Sequence, residues 1–243
     1  MVVRFPPKAH RRYGGPIVVG LVFCLIAAVG TAVSGPPPPK QTTSPPAAAP
    51  QVAAPPAKFV FLTFDDGPDP RYTPHILDIL DAYGAKATFF EVGHNVTKHP
   101  ELTRRVHQRG HSVQNHTWSH VDLRKLSWAA FRDQIQTTDE AITAQTGETP
   151  RCLRPPYGGM NSLVTKRTTT LGKKVELWSV DSRDWKRPGT AAIVNRVLAG
   201  ARNGSVILMH DGGGNRSQTI AALPTILKTL KARGYAFLPT SCA

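Results

Sequence analysis

The chain has 243 residues, 30 of them lysine or arginine and 16 of them acidic, and a formal net charge of +14. Its length allows one large or two small domains. The basic charge favours an anionic partner, but the sequence contains no basic helix or aromatic-basic motif of the usual nucleic-acid-binding modules. We therefore expect no nucleic-acid partner and an attraction to an acidic envelope polymer.

Residues 1–34 have the pattern of an export signal or a membrane anchor. Four basic residues and no acidic one lie between Arg4 and Arg12, and the rest of the segment is apolar and uncharged. A basic segment before an apolar one directs export. Small residues such as Gly30 and Ala32 would allow cleavage, whereas an apolar run of about 19 residues also spans a bilayer. We predict a protein that is secreted or anchored facing the cell wall, with membrane contact limited to this segment.

Residues 35–57 consist mainly of proline and alanine with a few serine, threonine and glutamine residues. This composition cannot bury a core and is typical of an extended, semi-rigid tether. The folded domain is therefore predicted to span residues 58–243, and we expect it to be a monomer. Five of the 30 basic residues and none of the 16 acidic ones precede it, so 25 basic residues against 16 acidic ones leave the domain a net charge of +9.

A buried strand that ends on two carboxylates opens this domain. Residues 59–64 are aromatic, β-branched or leucine, and Asp65, Asp66, Gly67 and Pro68 follow directly. A simple turn would explain these four residues, since all are favoured in turns. Buried charges, however, are normally paired or bound to metal, and later strands of the chain end in the same way.

Strands and helices then alternate along the whole domain. The patterns predict seven strands, at residues 59–64, 87–92, 112–113, 152–153, 175–180, 205–209 and 235–238. Helices are predicted at residues 73–83, 100–110 and 127–144, and from about residues 162, 190 and 217. This alternation indicates an α/β fold with a mostly parallel sheet, open or closed, and helices outside it. In such folds ligands bind at the carboxyl ends of the strands.

Polar residues follow five of these strands at their carboxyl ends. They are Asp65 and Asp66, His116 and His120, Arg154 and Tyr157, Asp181, Asp184 and Trp185, and His210. Because the carboxyl ends of parallel strands lie at one edge of a sheet, the sequence predicts an active site there.

His116 and His120 are four residues apart, and a helical stretch would place both rings on one face. Two histidines and one aspartate make a three-ligand metal site that leaves positions open for water and substrate. Such a site polarises a carbonyl and lowers the pKa of bound water. Asp65 and Asp66 point to opposite sides if the strand continues through them, so one is expected to bind the ion and the other to accept a proton.

Three further residues fit supporting roles at the same edge. Arg154 can hold an aspartate bidentately and keep it ionised. Asp184 can orient His210 and keep its imidazole protonated as an acid. The backbone N–H near Tyr157 follows two prolines and could face a developing oxyanion.

The domain contains two cysteines, Cys152 and Cys242. In an exported protein they are expected to form one disulfide, the alternative being two unpaired buried thiols.

Five ordered motifs resemble those of the polysaccharide deacetylases, the NodB-homology group of carbohydrate esterase family four. They are residues 63–67 (TFDDG), 116–120 (HTWSH), 154–158 (RPPYG), 181–185 (DSRDW) and 207–211 (ILMHD). The resemblance covers about residues 58–240, with no departure at a functional position. It implies a distorted (β/α) barrel of seven strands and a divalent metal, usually zinc, with cobalt as an alternative.

The resemblance also assigns roles to individual residues. It implies Asp66, His116 and His120 as metal ligands and Asp65 as the base that activates water. Arg154 would tether Asp65, the Tyr157 amide would stabilise the oxyanion, and Asp184 would tune His210 as general acid. Trp185 and Leu208 would line the pocket for the acetyl methyl group. The implied reaction is hydrolysis of an acetyl group from a sugar polymer.

The motifs leave the polymer open. Export and the tether favour N-acetylglucosamine in peptidoglycan, while chitooligosaccharide or acetylated xylan would require the same motifs. A non-catalytic glycan-binding domain of the cell wall is a further alternative, against which the intact Asp65 and His210 argue. An iron oxygenase shares the ligand set but would not need the pairs Arg154–Asp65 and Asp184–His210.

Overall fold

The computed structural model describes residue 35 and residues 57–242. The predicted signal or anchor and nearly all of the predicted tether lie outside these residues, so both remain predictions. Residues 52–243 form one compact unit. Within residues 57–242 no helix combines the length and the apolar character needed to cross a bilayer.

The unit alternates strands and helices, as predicted. Within residues 57–242 the strands are β1 (Phe59–Asp65), β2 (Ala87–Glu91), β3 (Ser112–Asn115), β4 (Cys152–Leu153), β5 (Lys174–Val175), β6 (Val180–Asp181), β7 (Ser205–His210) and β8 (Ala236–Phe237). The α-helices of the same residues are α1 (Thr73–Ala82), α2 (Gly93–Lys98), α3 (Pro100–Gln108), α4 (Trp128–Thr146), α5 (Ser162–Thr170), α6 (Thr190–Gly200) and α7 (Ser217–Ala232).

Every strand pairing in this part of the chain is parallel, with the order β5-β4-β3-β2-β1-β7-β6 and β8 beside β1. The predicted distorted (β/α) barrel is thus confirmed. The parallel register places Asp65 of β1 directly beside His210 of β7. Leu208 of β7 likewise lies beside Asp181 of β6. The carboxyl ends of β1 and β7 are therefore level, and β6 ends two residues earlier, beside Leu208.

The core lies between the central strands and the helices that cover them. Val60, Leu62 and Phe64 of β1 are fully buried, and they pack in one cluster with the apolar faces of α1 and α7. β1 is buried on both faces because it lies in the middle of a parallel sheet, which is why its sequence is almost continuously apolar. This packing fixes the position of Asp65 at the carboxyl end of β1.

The single strand predicted at residues 175–180 is wrong. The structure has two short strands there, β5 and β6, which lie at opposite edges of the sheet. Between them the chain crosses the barrel opening, and the carbonyls of Glu176 and Leu177 each accept a hydrogen bond of 3.0 Å from the Arg154 guanidinium. The buried Arg154 side chain takes the place of a neighbouring strand as the partner of these two carbonyls. The strand therefore does not continue from residue 175 to residue 180.

The predicted disulfide is present. Cys152 in β4 and Cys242 near the C-terminus are bonded, with their Cα atoms 5.5 Å apart. Gln114 donates to the Cys242 carbonyl, and Thr240 N donates to the Thr88 hydroxyl. These contacts bind the last residues of the domain to β2, β3 and β4.

Candidate active site

Left-handed backbone conformations cluster at the carboxyl edge of the sheet. In the described ranges six non-glycine residues have φ between 54° and 73°: Asp66, Thr117, His120, Tyr157, Arg183 and Arg187. All six lie in the loops that follow β1, β3, β4 and β6. Each such residue costs on the order of 1–3 kcal/mol, and the surrounding structure must hold it in place. The strain is concentrated where the sequence predicted the site.

Asp65 and Arg154 form a buried ion pair at the centre of this edge. Nη1 of Arg154 lies 2.7 Å from Oδ1 of Asp65, and both side chains are almost inaccessible to solvent. The same nitrogen donates to the Thr63 hydroxyl at 2.7 Å. The Arg154 guanidinium also stacks 3.9 Å above the Phe90 ring. Arg154 is therefore fixed on every side, and it fixes the Asp65 carboxylate in turn.

Asp66 faces two imidazoles. Its Oδ1 lies 3.4 Å from Nε2 of His116 and 3.2 Å from Nε2 of His120. Nδ1 of His116 is 2.6 Å from the Arg154 carbonyl, which orients the ring with Nε2 toward the carboxylate. Asp65 and Asp66 do not point to opposite sides as predicted, because the left-handed φ of Asp66 turns its carboxylate back toward His116.

The two histidines come together without a helix. Residues 116–120 form a loop after β3, so the helical stretch considered for them is wrong. Thr117 and His120 have left-handed backbones, and Thr117 N donates to Asn115 Oδ1. This tight loop brings the centres of the His116 and His120 rings to within 5.0 Å of each other.

Asp66, His116 and His120 fit a divalent metal ion. Their ligand atoms lie within 4.8 Å of one another. Oδ1 of Asp66 is buried and accepts no hydrogen bond within the described residues, which suits an oxygen reserved for a cation. Burial acts to raise the pKa of Asp66, but the proximity and charge of His116, with the charges of His210 and His120, hold that pKa well below its usual range. The carboxylate is thus ionised and ready to bind.

Asp184 holds His210 on the opposite side of the cavity. Oδ1 of Asp184 is 2.7 Å from Nδ1 of His210, and Oδ2 accepts from the His210 backbone N–H and the Thr219 hydroxyl at 2.8 Å each. Burial acts to lower the pKa of His210, but the hydrogen bond and charge of Asp184 outweigh it and raise that pKa to about 8. His210 is therefore mainly an imidazolium at neutral pH, with Nε2–H free to donate a proton.

These groups line one cavity of about 780 Å³. Its walls include all predicted site residues except Arg154 and Asp184, which act from behind Asp65 and His210: Asp65, Asp66, His116, His120, Tyr157, Trp185, Leu208 and His210. Tyr157 and Trp185 are 70% and 48% exposed, while Leu208 is buried at 4%. The cavity thus combines a polar floor with an aromatic rim, which suits a sugar substrate.

Comparison with known protein families matches residues 53–175 to the family described as polysaccharide deacetylase. A peptidoglycan-N-acetylglucosamine deacetylase of Bacillus cereus is 42% identical over 186 residues, which covers 76% of this chain and 87% of the relative. The chain belongs to the polysaccharide deacetylase family. It is therefore a hydrolase that removes acetyl groups from sugar polymers.

A curated relative and a solved structure are also similar to this chain. A chitooligosaccharide deacetylase of Rhizobium leguminosarum bv. trifolii is 41% identical over 187 residues, which covers 72% of this chain and 87% of the relative. The crystal structure of the Bc1960 peptidoglycan N-acetylglucosamine deacetylase is 40% identical with a TM-score of 0.73, and covers 76% of this chain and 88% of that one.

Several residues at the deacetylase site were not predicted from the sequence. Asn95 donates to the Asp66 carbonyl at 2.9 Å, and the nearly buried Arg216 places Nη2 at 3.9 Å from Asp66 Oδ2. Asp211 is fully buried beside Thr73, and burial raises the pKa of Asp211 to about 7. A side chain at Gly67 would collide with the Asp211 carboxylate. Only the adjacency of Asp211 to His210 could have indicated any of these contacts.

Proposed function

We propose that this polysaccharide deacetylase hydrolyses the N-acetyl group of N-acetylglucosamine residues in peptidoglycan. The proposal is supported by its similarity to relatives named for peptidoglycan-N-acetylglucosamine and for chitooligosaccharide. The predicted export signal and tether support a substrate outside the cell. Peptidoglycan is the first choice and chitooligosaccharide the second, because both carry the same acetylated sugar.

Asp65 is the base that takes a proton from the attacking water. Arg154 holds its Oδ1, so Oδ2 remains free, 3.8 Å from His116 Nε2 at the edge of the ligand set. A divalent ion held by Asp66, His116 and His120 would polarise the acetyl carbonyl and the attacking water, and two imidazoles with one carboxylate suit zinc, or cobalt in its place. The base and the ligands are thus adjacent but distinct.

His210 is the acid that allows the carbon–nitrogen bond to break. An amine leaves only when its nitrogen is protonated, and the imidazolium held by Asp184 supplies that proton from Nε2. The products are acetate and the free amine of the sugar. Because Asp65 and His210 occupy paired positions of β1 and β7, the base can act on the attacking water and the acid on the leaving nitrogen of the same acetamide group.

Tyr157, Leu208 and Trp185 orient the acetyl group. Tyr157 lines the cavity with a left-handed backbone, and we assign its amide to the developing oxyanion. Leu208 and Trp185 supply apolar walls of the cavity, which would receive the acetyl methyl group. These assignments rest on position in the cavity.

The observation that carries this proposal is the pairing of a buried base and a buried acid around the three-ligand set. A protein that only bound glycan would have no use for the pairs Arg154–Asp65 and Asp184–His210. Both pairs place charged groups in the protein interior, and burying charge costs free energy of folding. Their presence therefore favours a catalytic role over binding alone.

Acetate release from peptidoglycan, N-acetylated chitooligosaccharide and acetylated xylan, measured side by side with the full-length chain, tests the proposal. We expect the fastest release per accessible acetyl group from peptidoglycan, loss after chelation and recovery on adding zinc. His120→Ala should abolish turnover, whereas the exposed His75→Ala should not. Acetate from xylan alone, or full turnover by demonstrably metal-free protein, would contradict it.

A further inference from the structure

A group of unpaired cations lies beside the cavity on the loop that follows β6. Arg183, Lys186 and Arg187 are all exposed, and none of them forms an ion pair within residues 57–242. The acidic residue between them, Asp184, points inward to His210 and does not offset their charge. We call these three residues, with Arg216, the basic rim.

The basic rim adjoins the cavity directly. Trp185, in the middle of the loop, lines the cavity with a half-exposed ring, and Lys186 Nζ lies 4.9 Å from the centre of that ring. A cation and an indole face presented together at a cavity mouth form a surface on which a sugar ring and a negative charge can both bind.

The fourth cation, Arg216, lines the cavity from the start of α7. Its Nε donates to the Gly212 carbonyl, which holds the guanidinium in a nearly buried position. Two hydrogen bonds join this region to the loop of the other three cations: Gly189 N donates to Gln218 Oε1, and the Thr219 hydroxyl donates to Asp184, each at 2.8 Å. The start of α7 and the loop of the other three cations therefore form one connected wall, of which Trp185 and Arg216 line the cavity.

The carboxylates that face this wall are few. Asp65 is neutralised by Arg154, and Asp66 belongs to the ligand set. Asp181 lines the cavity, and its Oδ1 accepts a hydrogen bond from the Arg183 backbone N–H at 2.8 Å. Arg216 faces Asp66, and one partly buried carboxylate, Asp181, against the three exposed cations leaves a positive potential on this side of the mouth.

We propose that the basic rim is a subsite for a carboxylate carried by a sugar next to the acetylated one. This inference rests on the proposed function and narrows its substrate to a glycan that alternates acetylated sugars with acid-bearing ones. A neutral oligomer of N-acetylglucosamine would bind the cavity and Trp185 but gain nothing from the cations. The carboxylate could belong to the sugar's own ether substituent or to an attached peptide, and the two sources have the same chemistry.

The test compares kcat/KM of acetate release by the full-length, metal-loaded chain on three glycans of equal length. The first carries free carboxylates on alternate sugars and no peptide, the second is the same glycan with those carboxylates converted to methyl amides, and the third retains its peptides. We expect kcat/KM on the first glycan to exceed that on the second by about tenfold at low salt, the size expected of two or three exposed ion pairs. This advantage should shrink at high salt. An advantage seen only with the third would assign the carboxylate to the peptide.

In the variant Arg183→Gln/Lys186→Gln/Arg187→Gln, kcat/KM on the carboxylate-bearing glycan should be close to kcat/KM on the amidated glycan. Arg216 is left unchanged because it lies beside Asp66. The matched control is Arg132→Gln/Lys166→Gln/Lys228→Gln, which removes the same charge from exposed positions on α4, α5 and α7, outside the loop that carries Trp185, and should keep the full advantage of the carboxylate-bearing glycan.

Three results would overturn the subsite: equal kcat/KM of the wild-type enzyme on all three glycans, an unchanged advantage of the carboxylate-bearing glycan in the basic-rim variant, or the same loss of that advantage in the control variant. In each case the enzyme remains an active deacetylase of N-acetylglucosamine. Failure to deacetylate any of the glycans would instead contradict the proposed function, and the subsite with it.

Discussion

The guanidinium of Arg154 contacts the Asp65 carboxylate at 2.7 Å in a place where neither side chain reaches solvent. All three guanidinium nitrogens donate, since the Thr63 hydroxyl and the carbonyls of Glu176 and Leu177 also lie 2.7–3.0 Å away. This arrangement holds the Asp65 carboxylate in place at the wall of the cavity. It also connects the catalytic base to the segment that crosses the opening of the barrel.

Arg154→Lys should lower kcat/KM by at least about 100-fold while the protein still binds its metal. An ammonium group cannot serve the carboxylate, the hydroxyl and two carbonyls together, so Asp65 loses its fixed orientation. Arg154 touches the ligand set only through its backbone carbonyl, which the substitution retains. The exposed Arg151→Lys is the control. Wild-type kcat/KM in folded Arg154→Lys would show that the tether is dispensable.

Asp184→Asn should move the alkaline limb of the pH–rate profile to lower pH. The pKa of His210 is raised to about 8 with Asp184 as partner, so the acid form persists up to that pH and is lost above it. An amide NH2 facing Nδ1 would favour a neutral imidazole and lower the pKa of His210. We expect a shift of at least about one pH unit in kcat/KM, a size typical of a lost ion pair.

The exposed Asp133→Asn should leave the alkaline limb where it is. An unaltered limb in Asp184→Asn would mean that His210 does not set the alkaline side of the profile.

The sequence predicted most of the architecture and the residues of the ligand set and of the two ion pairs, because these follow local patterns. It did not predict Asn95, Arg216 or Asp211, which reach the site through tertiary contacts. Alternating apolar runs indicate a parallel sheet, and the polar residues after each strand mark its carboxyl edge. The prediction of one strand at residues 175–180 was wrong because the carbonyls of Glu176 and Leu177 bond to Arg154, which is distant in sequence. The left-handed turns at Asp66 and His120 were also not predictable, because tertiary contacts impose them on residues that carry a Cβ atom.

Loss of the disulfide should lower the free energy of unfolding by about 2–5 kcal/mol, since Cys152 and Cys242 are 90 residues apart in sequence. Cross-linking such a long loop restricts the unfolded chain. Denaturant unfolding of the wild type with and without a reductant measures the difference.

The Cys152→Ala/Cys242→Ala variant is the control for the reductant. It retains Cys24, so it should be less stable than the wild type and indifferent to reductant. Equal stability of the reduced and oxidised wild type would rule out a stabilising bridge.

Glu91→Gln should flatten the dependence of stability on pH. Burial raises the pKa of Glu91 from 4.5 to about 8, despite a hydrogen bond from the Thr103 hydroxyl that acts to lower it. Between these two values the unfolded state releases the proton while the folded state keeps it, so wild-type stability falls as pH rises. Glutamine carries no such proton and can still accept from Thr103.

The free energies of unfolding at pH 5 and pH 8 decide this point. Relative to the wild type, the free energy of unfolding of Glu91→Gln should increase by a few kcal/mol from pH 5 to pH 8. The exposed Glu101→Gln should show no such change. A constant difference for Glu91→Gln would mean that Glu91 is ionised in the folded protein.

The separate roles of Asp65 and Asp66 are the central claim. Metal content and acetate release, measured together on Asp65→Asn and Asp66→Asn, test it most directly. Asp65→Asn should keep the metal and lose activity by roughly 10²–10⁴-fold, because it removes the proton acceptor alone. Asp66→Asn should lose metal and regain part of its activity in excess zinc. Loss of metal from Asp65→Asn with retention in Asp66→Asn would reverse the two assignments.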